Sequence, residues 1–172
     1  MKLVRAVAFA APVALASVAV LALSMLTLQG CSRTEQAPAV GYTLLDGRHS
    51  DLASLRGHVV LVNFWATDCA PCVAEMPQLV QAWRKFSPRG FETLAVSMSY
   101  DPPALVSNFA QAHALPFGVV IDLTGEVAGR FGDVRYTPTT VLIDKRGRVV
   151  ERWVGATDFA ALDKQVGALL AE

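Results

Sequence analysis

The segment Val62-Asn63-Phe64-Trp65-Ala66-Thr67-Asp68-Cys69-Ala70-Pro71-Cys72 joins an apolar run to two cysteines in C-x-x-C spacing. Upstream the run extends to Val59, so Val59–Trp65 is nearly continuous in apolar side chains. Such a run suits a strand covered on both faces, because alternation would be needed only if one face met water. Gly57 bounds it in front and the cysteine motif ends it. Beyond the motif the pattern changes to helical: Cys72, Met76, Leu79, Val80 and Trp83 recur at three- and four-residue spacing. Pro71 falls in the first turn, where a missing N–H costs nothing. Pro77 lies inside the helix and is expected to bend it. Ser87-Pro88-Arg89-Gly90 stops it.

Further along, Phe91–Met98 reads as a second buried strand, residues 102–113 as a helix and Phe117–Ile121 as a short strand. A short helix is expected over Glu126–Phe131, after Gly125. Thr139–Ile143 and Val149–Trp153 are strands joined by Asp144-Lys145-Arg146-Gly147-Arg148, a hairpin. Thr157 or Asp158 caps a last helix reaching Leu170. Strands alternating with helices and closing in an antiparallel hairpin predict an α/β fold, a mixed central sheet flanked by helices.

The 172 residues fit one domain. Fifteen Lys+Arg balance fifteen Asp+Glu, so the basic excess that a nucleic-acid binder needs is missing. With 53% hydrophobic and 17% charged residues, disorder is excluded over most of the chain. Much of the apolar excess sits at the N-terminus, where Lys2 and Arg5 precede an uncharged run over Ala6–Leu28. Residues 1–30 therefore read as a signal peptide or a membrane anchor, and either exports the rest of the chain. Leu28-Gln29-Gly30-Cys31 resembles the bacterial lipobox, with Cys31 as the lipidated residue, although Gln29 is uncommon at its position. The run is also long enough to span a bilayer uncleaved. Residues 31–40 are expected to be a tether and 41–172 the folded domain.

Two cysteines remain for chemistry, Cys69 and Cys72. No second cysteine pair accompanies them, and His49, His58 and His113 stand singly without H-x₃₋₅-H spacing, so no structural zinc site and no other metal is expected. An isolated C-x-x-C between strand and helix reads as a redox pair. At the helix start, unpaired N–H groups and the positive dipole end favour a thiolate at Cys69. Cys72 lies about one turn further in on the same side, shielded yet within reach. Cys69 is thus the attacking sulfur and Cys72 the resolving one, with no cofactor required.

The segment from Val62 to Cys72 resembles the active-site segment of thioredoxin-fold proteins, and most of all the exported TlpA/ResA-type thiol–disulfide oxidoreductases. Leu55-Arg56-Gly57-His58-Val59-Val60, Glu75-Met76-Pro77, Gly125-Glu126-Val127-Ala128 and Tyr136-Thr137-Pro138-Thr139-Thr140 extend the likeness, which covers about residues 40–170. The resemblance implies a thioredoxin-like fold and a cis peptide bond before Pro138, with Thr137 offering backbone hydrogen bonds to a substrate peptide. From the residues alone, an ordinary trans proline opening a strand is the alternative. Trp65 matches a tryptophan packed near the dithiol, or is simply core. Glu75 matches a glutamate that tunes proton transfer at the dithiol, or is a solvated helix-edge carboxylate. Asn63 stands where thioredoxin has a buried aspartate. Asp68 departs from the tryptophan usual before the first cysteine, and a carboxylate there disfavours the neighbouring thiolate.

The function implied is a membrane-tethered reductase of client proteins bearing cysteine pairs, such as apocytochrome c or copper-site proteins. It would face the periplasm or extracytoplasmic side and be recharged by a membrane electron donor. Ala70-Pro71 resembles reducing relatives, whereas strong oxidants tend to carry histidine beside the second cysteine. The alternatives are a net oxidant or isomerase, a Cu(I) chaperone using both thiolates and a histidine, and a thiol peroxidase.

Overall fold

A computed structural model describes residues 35–172, so Cys31 and the segment of residues 1–30 lie outside the described residues. The elements in chain order are β1 (Gly41–Thr43), β2 (His49–Asp51), β3 (Val59–Trp65), α1 (Ala70–Phe86), β4 (Phe91–Ser97), α2 (Pro103–Ala112), β5 (Gly118–Ile121), α3 (Glu126–Arg130), β6 (Thr139–Ile143), β7 (Val149–Val154) and α4 (Phe159–Ala171). Strands pair in the order β5-β4-β3-β6-β7. β3, β4 and β5 run parallel, while β6 is antiparallel to both β3 and β7. The mixed α/β sheet predicted from the alternation of elements is the one observed, with strand and helix ends within a residue or two of those expected.

Every residue of β3 is buried, as its unbroken apolar run requires. Its alternate side chains serve two cores. Val59, Leu61 and Trp65 pack with Cys72, Met76 and Leu79 of α1, Val106 of α2 and Leu162 and Val166 of α4. Val60, Val62 and Phe64 pack on the other face with Val127 and Phe131 around α3 and with Val40, Tyr42 and Leu52. Each large side chain fully withdrawn from water here contributes about 1.5–3 kcal/mol. α1 continues through Pro77, whose ring faces outward at an exposed position.

Two parts of the chain depart from the expected outline. β1 and β2 form a small antiparallel hairpin that the apolar pattern did not reveal. Each strand has three residues, only Tyr42 among them is buried, and the Asp46-Gly47 turn is its one local signal. The stretch expected as a tether is also partly docked from Glu35 onward. Val149 donates to the Glu35 carbonyl at 2.8 Å, Ala37 donates to Gly147 at 2.9 Å, and Val40 is buried.

At the β6–β7 turn, Asp144 is 2% exposed and accepts from the backbone N–H groups of Arg146 (2.9 Å) and Arg148 (2.8 Å), and from Arg148 Nε (2.5 Å). Burial pushes its carboxyl up, but the Arg148 and Arg146 hydrogen bonds and the Arg148 charge outweigh that and hold it below its ordinary value. Gly147 has φ +74°, and the Arg56 guanidinium occupies the space where a Cβ would lie. Any other residue there would meet both obstacles.

Candidate active site

Strand register places Trp65, Ser97, Ile121, Thr139 and Val154 at one edge of the sheet. There β3 leads through Ala66–Asp68 into Cys69, the N-cap of α1, whose backbone is extended (φ −88°, ψ 95°). Cys69 and Cys72 form a disulfide with their Cα atoms 5.2 Å apart. The Cys72 N–H donates to Cys69 Sγ at 3.3 Å, and the Cys69 carbonyl already accepts from Val73 at 3.0 Å. The first turn of α1 thus aims a backbone donor at the outer sulfur, as an N-cap side chain ordinarily receives. Cys69 is half-buried while Cys72 is 1% exposed. The pair is therefore asymmetric, one sulfur reachable and one screened.

Trp65 is fully buried in the same core as Cys72, its ring 5.0 Å from Phe109, which stacks in turn on His113 at 4.1 Å. The Thr137–Pro138 peptide bond is cis. Since Phe64 pairs with Thr139, these two residues occupy the same sheet edge as the Ala66–Cys69 loop. The Pro138 carbonyl accepts from Gly155 at 2.8 Å and Thr139 Oγ1 donates to the Tyr136 carbonyl at 2.7 Å. Asp68 is exposed directly beside Cys69.

Glu75 is not solvated: it is 7% exposed on the inner face of α1. Its carboxylate accepts from Thr157 N–H at 2.7 Å and from Thr157 Oγ1 at 3.2 Å. Thr157 Oγ1 lies 2.9 Å from Thr140 Oγ1, which accepts from Asn63 Nδ2 at 2.9 Å. The Asn63 amide nitrogen can only donate. Thr140 therefore receives that proton and passes its own to Thr157, which passes its own to Glu75. A one-way file of donors crosses from β3 through β6 to α1 and ends on the carboxylate. Burial of so many polar groups is tolerable because each is paired.

Sequence reading singled out Glu75 and Asn63 but missed Thr140, Thr157 and Asp101. Asp101, 3% exposed in the β4–α2 connection, accepts from Thr67 N–H at 2.7 Å and from Thr67 Oγ1 at 2.5 Å. Among the described residues no group of three or more His, Cys, Asp or Glu side chains is gathered in a way that could hold a metal ion.

The model of the AhpC/TSA family matches residues 34–152. The chain belongs to that family. Among its relatives, the thiol–disulfide oxidoreductase ResA of Bacillus thuringiensis (strain Al Hakam) is 37% identical over 121 residues, 70% of this chain and 69% of that one. ResA of Geobacillus thermodenitrificans is 40% identical over 113 residues, 66% of this chain and 64% of that one. The crystal structure of a thiol:disulfide interchange protein of the thioredoxin family from Chlorobium tepidum superposes with a TM-score of 0.73 at 30% identity, covering 81% of this chain and 98% of that one. This member of the AhpC/TSA family is thus of the ResA type, a thiol–disulfide oxidoreductase with the thioredoxin-like fold.

Proposed function

We propose that the protein is exported and membrane-tethered and reduces disulfides of client proteins through Cys69 and Cys72. The asymmetry of the pair carries this reading: a reachable sulfur at a helix N-terminus, backed by a screened one. In the reduced state the Cys69 thiolate attacks a client sulfur. The client S–S bond breaks, one client thiolate leaves, and a mixed disulfide joins Cys69 to the other. Cys72 then gives up its proton and attacks Cys69 Sγ. This closes the Cys69–Cys72 disulfide and releases the second client thiol, two electrons having passed to the client.

Glu75, three residues along the helix from Cys72, is assigned as acceptor of the Cys72 proton. Thr137 and Pro138 offer backbone groups to the client segment next to the reacting sulfur, and Trp65 forms the apolar floor behind it. Tyr100, Leu123, Tyr136 and Val154 are large exposed apolar side chains on loops or strand ends at this same sheet edge, which suits an unfolded client such as apocytochrome c or a copper-site protein. Tethering through Cys31 or an uncleaved anchor would keep the protein near a membrane electron donor that returns it to the dithiol.

The test is the reduction potential of the full chain in detergent, equilibrated against glutathione and dithiothreitol. A potential below about −220 mV, toward thioredoxin near −270 mV, is expected for a reductant. A potential near −120 mV, like DsbA, would reverse the direction of electron flow and refute the reading.

A further inference from the structure

Asp101 takes no part in client reduction as derived from the dithiol, yet it is a nearly inaccessible carboxylate whose two oxygens both bind the loop that carries the reacting cysteine. Thr67, its partner, is two residues before Cys69 and 34 residues before Asp101 in sequence. The surrounding backbone bonds show what the contact accomplishes. Met98 N–H donates to the Trp65 carbonyl at 3.0 Å, so β4 is fastened to the last residue of β3. Asp101 N–H donates to the Met98 carbonyl at 2.9 Å, which turns the chain back and fixes Asp101 itself. Its carboxylate then receives both the N–H and the hydroxyl of Thr67. On the far side of Thr67, Cys69 N–H donates to the Ala66 carbonyl at 3.2 Å. The connection from β3 to α1 is therefore held at both ends, and among the described residues only Asp101 hydrogen-bonds residues 66–68 from another segment of the chain.

We propose that Asp101 is a positioning residue for the dithiol, a clamp that keeps the Thr67–Cys69 loop in the conformation in which Cys69 meets Cys72. This rests on Cys69 and Cys72 being the reacting pair. Resistance of a disulfide to an external thiol measures how well the protein holds its two sulfurs together, and loss of alignment costs effective concentration. The relevant equilibrium is protein disulfide plus two glutathione thiols giving protein dithiol plus oxidised glutathione. Loosening the clamp moves it toward the dithiol and slows reclosure of the disulfide.

Asp101→Ala is expected to shift that equilibrium toward the dithiol about tenfold and to slow insulin reduction about tenfold. Asp101→Asn can keep both contacts, its amide oxygen accepting from Thr67 N–H and its nitrogen donating to a reversed Thr67 hydroxyl, and should stay near wild type. That rescue separates placement from charge, which a merely electrostatic effect would not survive. Thr67→Val, which removes only the hydroxyl contact, should move the equilibrium the same way by a smaller factor. In the Asp101→Ala background it should add nothing, because the two act through one contact. If Asp101→Ala fails to fold, Thr67→Val and Asp101→Asn carry the test alone. A wild-type equilibrium and rate in folded Asp101→Ala or in Thr67→Val overturns the proposal, and so does an Asp101→Asn variant shifted as far as Asp101→Ala. Cys69→Ser is the control: if wild type reduces insulin no faster than this variant, the dithiol reading itself fails rather than the clamp.

Discussion

Two buried carboxylates hold loops at opposite ends of the sheet by nearly the same geometry and to different ends. Asp144 gathers the N–H groups of Arg146 and Arg148 and the Arg148 guanidinium, all within four residues of itself. Asp101 gathers one N–H and one hydroxyl from a loop 34 residues away. The first contact is local and includes a full counter-charge, so it tightens a hairpin turn that would form anyway. The second is distant and has only neutral donors, so it fixes the relation between two separate segments, one of which bears the reacting sulfur. Similar chemistry stabilises at one end and positions at the other.

The sharpest way to break this comparison is at Asp144. Asp144→Asn removes the ion pair and sets an amide against N–H donors, so about 2 kcal/mol of stability should be lost at pH 7 with insulin reduction unchanged. Because the folded carboxyl sits below its ordinary value, this contribution is complete above about pH 4 and fades as pH falls through the lowered value. Urea unfolding should therefore show the gap between variant and wild type closing as pH falls below the ordinary carboxylate range. A gap that is constant or widens in acid would contradict the assignment.

At the dithiol end the next largest effect is expected from Glu75→Gln, about tenfold in the rate of client reduction. The amide still accepts from Thr157 N–H, but its nitrogen faces Thr157 Oγ1 and opposes the file of donors arriving from Asn63. Wild-type turnover in this variant would remove Glu75 from the proton path. The smallest change belongs to Asp68→Asn. Loss of one exposed charge beside Cys69 should raise the alkylation rate of the reduced protein about two- to threefold at neutral pH and low salt, and less at high salt. An unchanged or slower rate at low salt would show that the Asp68 carboxylate does not oppose the thiolate.

The same division between local and distant contacts explains what was legible in the sequence. β3, the start of α1 and the β6–β7 hairpin follow from runs, spacings and turn residues within a few positions of one another. So does the placement of Cys69 at a helix N-cap with Cys72 behind it. The β1–β2 hairpin escaped because three-residue polar strands carry almost no periodicity. Asp101–Thr67 and Glu75–Thr157 span 34 and 82 residues, and nothing at either end announces its partner. Burial of Glu75, too, depends on the segment before α4 folding over it, which α1 alone does not encode.

The segments that went unread share a further property: they lie against the outer strands. Leu44 bridges to Val120 and Leu45 donates to Val119, laying the first hairpin on β5. Glu35–Ala37 lies along the start of β7 through Val149 and Gly147. A bare outer strand is a template onto which another extended chain can register and propagate. Both flanks of this sheet are thus partly occupied by the protein's own backbone. Among the described residues the outer positions at Val119, Val120 and Val149 are taken, so a second chain adding to the sheet at those points would have to displace the protein's own backbone.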